Sequence, residues 1–259
     1  MAIADMQKKV IVTIDSQLLE NLRDKKSFTR KELFDVLSDN GFLVSDASFR
    51  YKLQKFINSG YIVNVGHNAY CVVKENNIRQ YRHDYSEQAK NIAVIISEKY
   101  PNIKFSIFEL VQLNEFINHL LAHNVIFVSV ESNFGDFVFD ALKKIYPGRI
   151  LIYPTPDTFH QYWYSDMIVI RKLVTEAPSN KKCPWSVRLE KILVDIIADP
   201  IITNSISASE YPGIYTDAFQ KYVLNECCLF RYAKRRGVKS EILRLIENET
   251  NIKLRTRNK

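Results

Sequence analysis

Ser48, Arg50, Tyr51, Lys52, Gln54 and Lys55 put three cations, a phenol and two small hydrogen-bonding groups in one short stretch. No acidic residue stands between Ala47 and Asn58. Cations and neutral donors on one face of a helix are the chemistry that grips phosphate oxygens and reads base edges in a major groove. The bland reading of the same residues is a solvated face on a protein-interaction module. A second basic group, Lys234-Arg235-Arg236, either contacts phosphate or complements the negative end of a helix.

Other spacings suggest other chemistry. Glu115, His119 and His123 recur every fourth residue, so a helix there would align two imidazoles and a carboxylate toward a metal. They lie beside an apolar stripe with no further ligand cluster, so no metal is expected. Glu131 and Asp136 could be the paired acids of a metal-dependent nuclease. Asn133 stands where such a motif usually has Lys, and both acids suit the positive end of the next helix. The aromatic run Phe159 to Tyr164, with Tyr153 before it, reads as a binding surface or a packed corner. There is no P-loop, GxGxxG, HExxH, GxSxG or protein-kinase set, so neither a cofactor nor an enzymatic activity is expected.

The positions of these residues depend on the elements that carry them. Gln17–Asp24 reads as a short helix. Thr29 followed by Glu32 is a capping box that opens a helix over 30–39, with Leu33, Phe34 and Leu37 at helical spacing. A third helix runs from Ser45 to Asn58 with Phe49, Leu53, Phe56 and Ile57 as its apolar stripe. Tyr61–Val65 and Ala69–Val73 flank a polar turn, Gly66-His67-Asn68, and predict a hairpin. Three helices and then a hairpin is the order of a winged helix-turn-helix, with His67 and Asn68 at the wing tip. The wing has no Lys or Arg between Tyr61 and Val73.

After a polar junction over 75–90, the pattern alternates. Helices are predicted over 86–100, 113–123, 137–145, 188–198, 217–233 and 240–249, and strands over 104–108, 125–130, 150–153 and 167–170. Strand, helix and strand from Val125 to Tyr153 predict a partly parallel, buried sheet. The fold class is therefore α/β within an α+β whole. Residues 1–80 form a winged helix-turn-helix DNA-binding domain, and residues 81–259 a larger mixed domain with a basic C-terminal helix.

Composition agrees with a globular chain of 259 residues, 46% hydrophobic and 25% charged. The net charge of +7 is concentrated at the ends. From Arg231 onward, ten basic residues face three acidic ones. Basic ends favour a polyanionic partner. No apolar run reaches the length of a membrane span and no signal peptide is evident. Four cysteines without CxxC spacing suit reduced thiols, so a cytoplasmic location is expected.

Three places resemble the AbiEi-type abortive-infection antitoxins of type IV toxin–antitoxin operons. They are the N-terminal winged helix with Ser48-Phe49-Arg50, the run Asn124–Glu131 with Phe137–Leu142, and Leu189–Asp199 with Tyr232–Gly237. The resemblance implies an autorepressor that binds inverted repeats in its own promoter and counteracts a nucleotidyltransferase-like toxin. It makes residues 81–259 the antitoxin domain, and places DNA contacts on Arg50, Tyr51, Lys52, Lys55, His67 and Asn68. The alternative is a metal-dependent nuclease-like enzyme delivered to DNA by the winged helix.

Overall fold

The computed structural model describes residues 19–42, 45–59, 61–73, 80–180 and 183–255. The architecture is α+β, and the chain divides into two compact units.

The first unit comprises Met1–Gln80 with Gln220–Cys227 and Lys253–Lys259. Its helices are α1 (Glu20–Arg23), α2 (Arg30–Asp39) and α3 (Asp46–Ser59). Gln17 and Leu18, expected in the first helix, lie outside the described residues, as does most of the polar junction. Thr29 opens α2 with the expected box: Glu32 N–H donates to Thr29 Oγ1 at 3.2 Å and Thr29 N–H to Glu32 Oε2 at 2.7 Å. Lys25 completes the arrangement, 2.6 Å from Glu32. The Lys25 bond and the Thr29 backbone bond together bring the Glu32 carboxyl down to about 2.

Strands β1 (Ile62–Gly66) and β2 (Ala69–Val72) form an antiparallel hairpin. Phe28 is tied to it by a single bridge, paired backbone bonds with Tyr70 of 2.8 and 2.9 Å. One side of the hairpin, through Ile62 and Val72, closes a core with Leu22, Phe28, Leu33, Leu37, Phe49 and Phe56. This is a winged helix. Its other side carries Val63, Val65 and Cys71, covered by Val223. Asn225 holds that cover in place, donating to Asn64 Oδ1 at 2.8 Å. Glu226 accepts Arg255 N–H at 2.9 Å. Late segments thus belong with the residues up to Gln80 in the early unit. Apolar strand faces on both sides of a hairpin must both be covered.

The second unit comprises Tyr81–Phe219 and Cys228–Ile252. Its sheet has the order β3 (Phe105–Glu109), β4 (Val125–Val130), β6 (Met167–Lys172), β5 (Ile150–Ile152). β3 runs antiparallel to β4, whereas β4, β6 and β5 are parallel. The strand–helix–strand unit read from Val125 to Tyr153 is present, but β6 lies between its two strands. One sheet face packs Ile107, Val128, Ile168 and Ile170 against α4 (Glu87–Lys99) and α5 (Gly135–Lys143) through Ile92, Ile96, Val138 and Leu142. Alternation turns Phe127, Ser129, Val169 and Arg171 to the opposite face.

Four further helices follow. They are α6 (Pro156–Gln161), α7 (Leu189–Ala198), α8 (Pro200–Thr203) and α9 (Tyr211–Lys221). Two close the chain: α10 (Glu226–Arg236) and α11 (Lys239–Glu249). A continuous helix over 217–233 is not formed. The chain breaks between α9 and α10, where Leu224 is buried and the Asn225 amide bonds to Asn64. Packing overrides helix propensity there.

Glu109, at the end of β3, is fully buried and gathers the segment before α4. It accepts Ser86 N–H at 2.9 Å and Asn124 Nδ2 at 2.9 Å, with His83 Nε2 at 3.3 Å. Burial alone would raise the carboxyl, but these bonds outweigh it and bring it down to about 2. No described helix is long and apolar enough to cross a membrane.

Candidate functional site

Helix α3 buries Phe49, Leu53 and Phe56 and turns Arg50, Tyr51 and Gln54 outward. Tyr51 is 72% exposed. Ser48, Lys52 and Lys55 are partly covered at the edges of the same face. Ser48 Oγ lies 2.9 Å from Ser45 Oγ at the helix start. The Lys52 ammonium sits 4.5 Å over the Phe42 ring, which steadies its stem. Arg50 lies 3.7 Å from Asp46, with both side chains largely exposed. Such a solvated pair contributes little and leaves the guanidinium available to another anion.

The hairpin turn is two residues, His67 and Asn68, with Asn68 in the left-handed region at φ 49°. Asn68 Oδ1 accepts the Arg30 N–H at the start of α2, at 3.0 Å. The His67 N–H points at Cys227 Sγ, 3.2 Å away. The wing is thus folded onto its own unit, and the exposed His67 side chain is what it offers outward.

The remaining expected groupings are dispersed. The predicted helix over 113–123 is instead a 3-10 turn over Leu110–Glu115 followed by a loop. Asn114 closes that loop by bonding both the N–H and the C=O of Leu121, at 2.8 and 3.1 Å. Glu115, His119 and His123 therefore share no helix face. His119 pairs with Glu210 at 2.7 Å, and the His123 ring meets Trp163 edge-on. Among the described residues no cluster of three metal-ligating side chains exists. Glu131 Oε2 accepts Lys104 N–H at 3.1 Å, and Asp136 sits in the first turn of α5.

The basic Lys234-Arg235-Arg236 segment forms the last turn of α10, and its members diverge. Lys234 and Arg235 are exposed, and Arg235 Nε donates to Thr175 Oγ1 at 2.8 Å. Arg236 turns inward to a cavity of about 360 Å³ at the carboxyl ends of β4, β5 and β6. There Asp195 is the hub. Its Oδ2 accepts Lys191 Nζ at 2.6 Å, its Oδ1 accepts the Tyr232 hydroxyl at 2.9 Å, and Arg236 Nη1 approaches to 3.7 Å. Arg236 also donates to the Ala198 carbonyl at 3.1 Å. One turn on, Asp199 Oδ1 holds Arg171 Nη1 and the Ile201 N–H. Burial, then the Asp195 charge, push the Tyr232 phenol well up, so it stays a donor. Lys172 and Tyr153 line the mouth.

A profile of DUF6577, described as a family of unknown function, matches residues 48–252. The chain belongs to the DUF6577 family. In this DUF6577 chain the matched region begins within α3 and takes in the hairpin and the second unit. No curated protein matches the sequence. A solved structure, that of the RV2827C protein from Mycobacterium tuberculosis, aligns with 85% of this chain and 75% of its own at 10% identity, with a TM-score of 0.23.

Sequence reading alone passed over Arg171, Lys191, Asp195, Asp199 and Tyr232 as a site. A signal was present. The segment forming α7, Leu-Glu-Lys-Ile-Leu-Val-Asp-Ile-Ile-Ala, is apolar almost all round, as in a buried helix. Lys191 and Asp195, one turn apart in such a helix, must be buried as a pair. The shared i,i+4 spacing of Tyr232 and Arg236 gives the second half.

Proposed function

We propose that this protein is a DNA-binding autorepressor that docks α3 in the major groove of its own promoter. The carrying observation is the outward cationic face of α3, set opposite a buried stripe within a winged helix. Arg50, Lys52 and Lys55 supply phosphate or base contacts, with Ser48, Tyr51 and Gln54 as neutral donors beside them. Lys234 and Arg235, exposed on the second unit, are further phosphate contacts in this reading; Arg236 is engaged in its cavity. The wing adds His67 and the Asn68 amide N–H groups, the Asn68 Oδ1 being held by the Arg30 N–H. The resemblance to AbiEi-type antitoxins supplies the wider role, in which the protein also counteracts a nucleotidyltransferase-like toxin in the cytoplasm.

A gel shift with upstream DNA tests this. The Arg50, Lys52 and Lys55→Ala triple variant is expected to lose specific binding, with the log–log salt slope reduced by about 3. Equal binding by variant and wild type would remove α3 from the interface. Co-expression with a neighbouring nucleotidyltransferase-like gene tests the antitoxin role, and unrelieved growth arrest counts against it.

A further inference from the structure

We propose that the cavity of the second unit binds a phosphate monoester, of the kind a nucleoside monophosphate carries. Its place is the first reason. It opens at the carboxyl ends of the parallel strands β4, β5 and β6, on the face shared by α7 and α10. Open α/β sheets bind ligands at that edge. Its volume, about 360 Å³, falls within the range of small-ligand sites.

Charge is the second reason. Four cations line the cavity, Arg171, Lys172, Lys191 and Arg236, against two carboxylates, Asp195 and Asp199. Both carboxylates are committed to holding cations and N–H groups. They act as struts that fix two guanidinium forks before any ligand arrives. Lys172 has no ion-pair partner among the described residues and points over the Tyr153 ring at 5.3 Å. The surplus of two positive charges matches a phosphate monoester, which carries about −1.5 to −2 at pH 7. Planar guanidinium forks suit its oxygens.

The third reason is Tyr153. It holds φ 46° immediately before Pro154, a region a bulky residue seldom occupies. Retained backbone strain concentrates at ligand sites. The strained turn keeps the half-exposed ring at the mouth, under Lys172, where a base can stack beside a bound phosphate.

Isothermal titration of the full chain, without DNA, decides the matter. The titrants are AMP, inorganic phosphate, adenosine and succinate. AMP is expected to bind, inorganic phosphate more weakly, and adenosine and succinate not measurably. Lys172→Gln, at an exposed side chain, should weaken AMP about tenfold or more. Arg236→Gln should do the same with its melting curve recorded, and Lys239→Gln, exposed at the start of α11 and outside the cavity, should change nothing. Tyr153→Leu should weaken AMP while sparing inorganic phosphate. Absence of AMP binding, indifference to Lys172→Gln, or succinate binding as tightly as AMP would each overturn the proposal. None of these outcomes bears on α3, so the DNA reading stands or falls separately.

Discussion

Asp195→Ala is expected to destabilise the second unit by about 3–5 kcal/mol, the range for breaking a buried ion pair from one side. The mutation strands three groups together. Lys191, only 5% exposed, loses its counter-ion at 2.6 Å. The fully buried Tyr232 hydroxyl loses its acceptor, and Arg236 loses its nearest carboxylate. Asp195→Asn should cost less, because an amide oxygen still accepts from Tyr232. The double change Lys191→Met with Asp195→Leu should recover only the Lys191 share of the loss, since the buried Tyr232 hydroxyl still lacks its acceptor. Both tryptophans, Trp163 and Trp185, belong to the second unit. Urea denaturation followed by tryptophan fluorescence therefore isolates the effect, and a loss below about 1 kcal/mol for Asp195→Ala would refute the hub role.

Acid should unfold the same unit, and Glu109 should be a main reason. Its carboxyl lies near 2 in the folded chain and near 4.5 as a free side chain. A depressed folded value means stability that is fully present above about 4.5 and is lost as pH falls from there toward 2. The gap corresponds to about 3 kcal/mol. Glu109→Gln keeps the shape and removes the titration. The variant should be less stable than wild type at pH 7, and its tryptophan-detected stability should fall less steeply between pH 4.5 and 2. Parallel pH profiles for the two proteins would show that Glu109 is not the titrating group.

Local chemistry carried much of this fold into view. Thr29 and Glu32 announce the start of α2, and Phe49, Leu53 and Phe56 announce the buried side of α3. Two turn residues between apolar runs announce the hairpin. These features depend on neighbours within one turn of chain. What escaped depends on distant partners. The loop after Glu115 is held by Asn114 reaching Leu121, and the break before Glu226 by Asn225 reaching Asn64. The cavity assembles a strand end, α7 and α10 from widely separated stretches. Only the periodicity within α7 hinted that its Lys and Asp face inward. Likewise, Ile62-Val63 and Cys71-Val72 are apolar on both sides of a hairpin, which asks for a second cover without naming Val223.

That second cover has a consequence for biosynthesis. Val63 and Asn64 wait for Val223 and Asn225, which lie 161 residues downstream in the case of the asparagines. At roughly 5–20 residues per second, the ribosome takes on the order of 8–30 seconds to supply them. During that interval the nascent winged helix carries an uncapped apolar hairpin face, a surface on which chaperones act. The winged helix is thus finished only after residues 223–225 have emerged, long after its own helices and strands have been made.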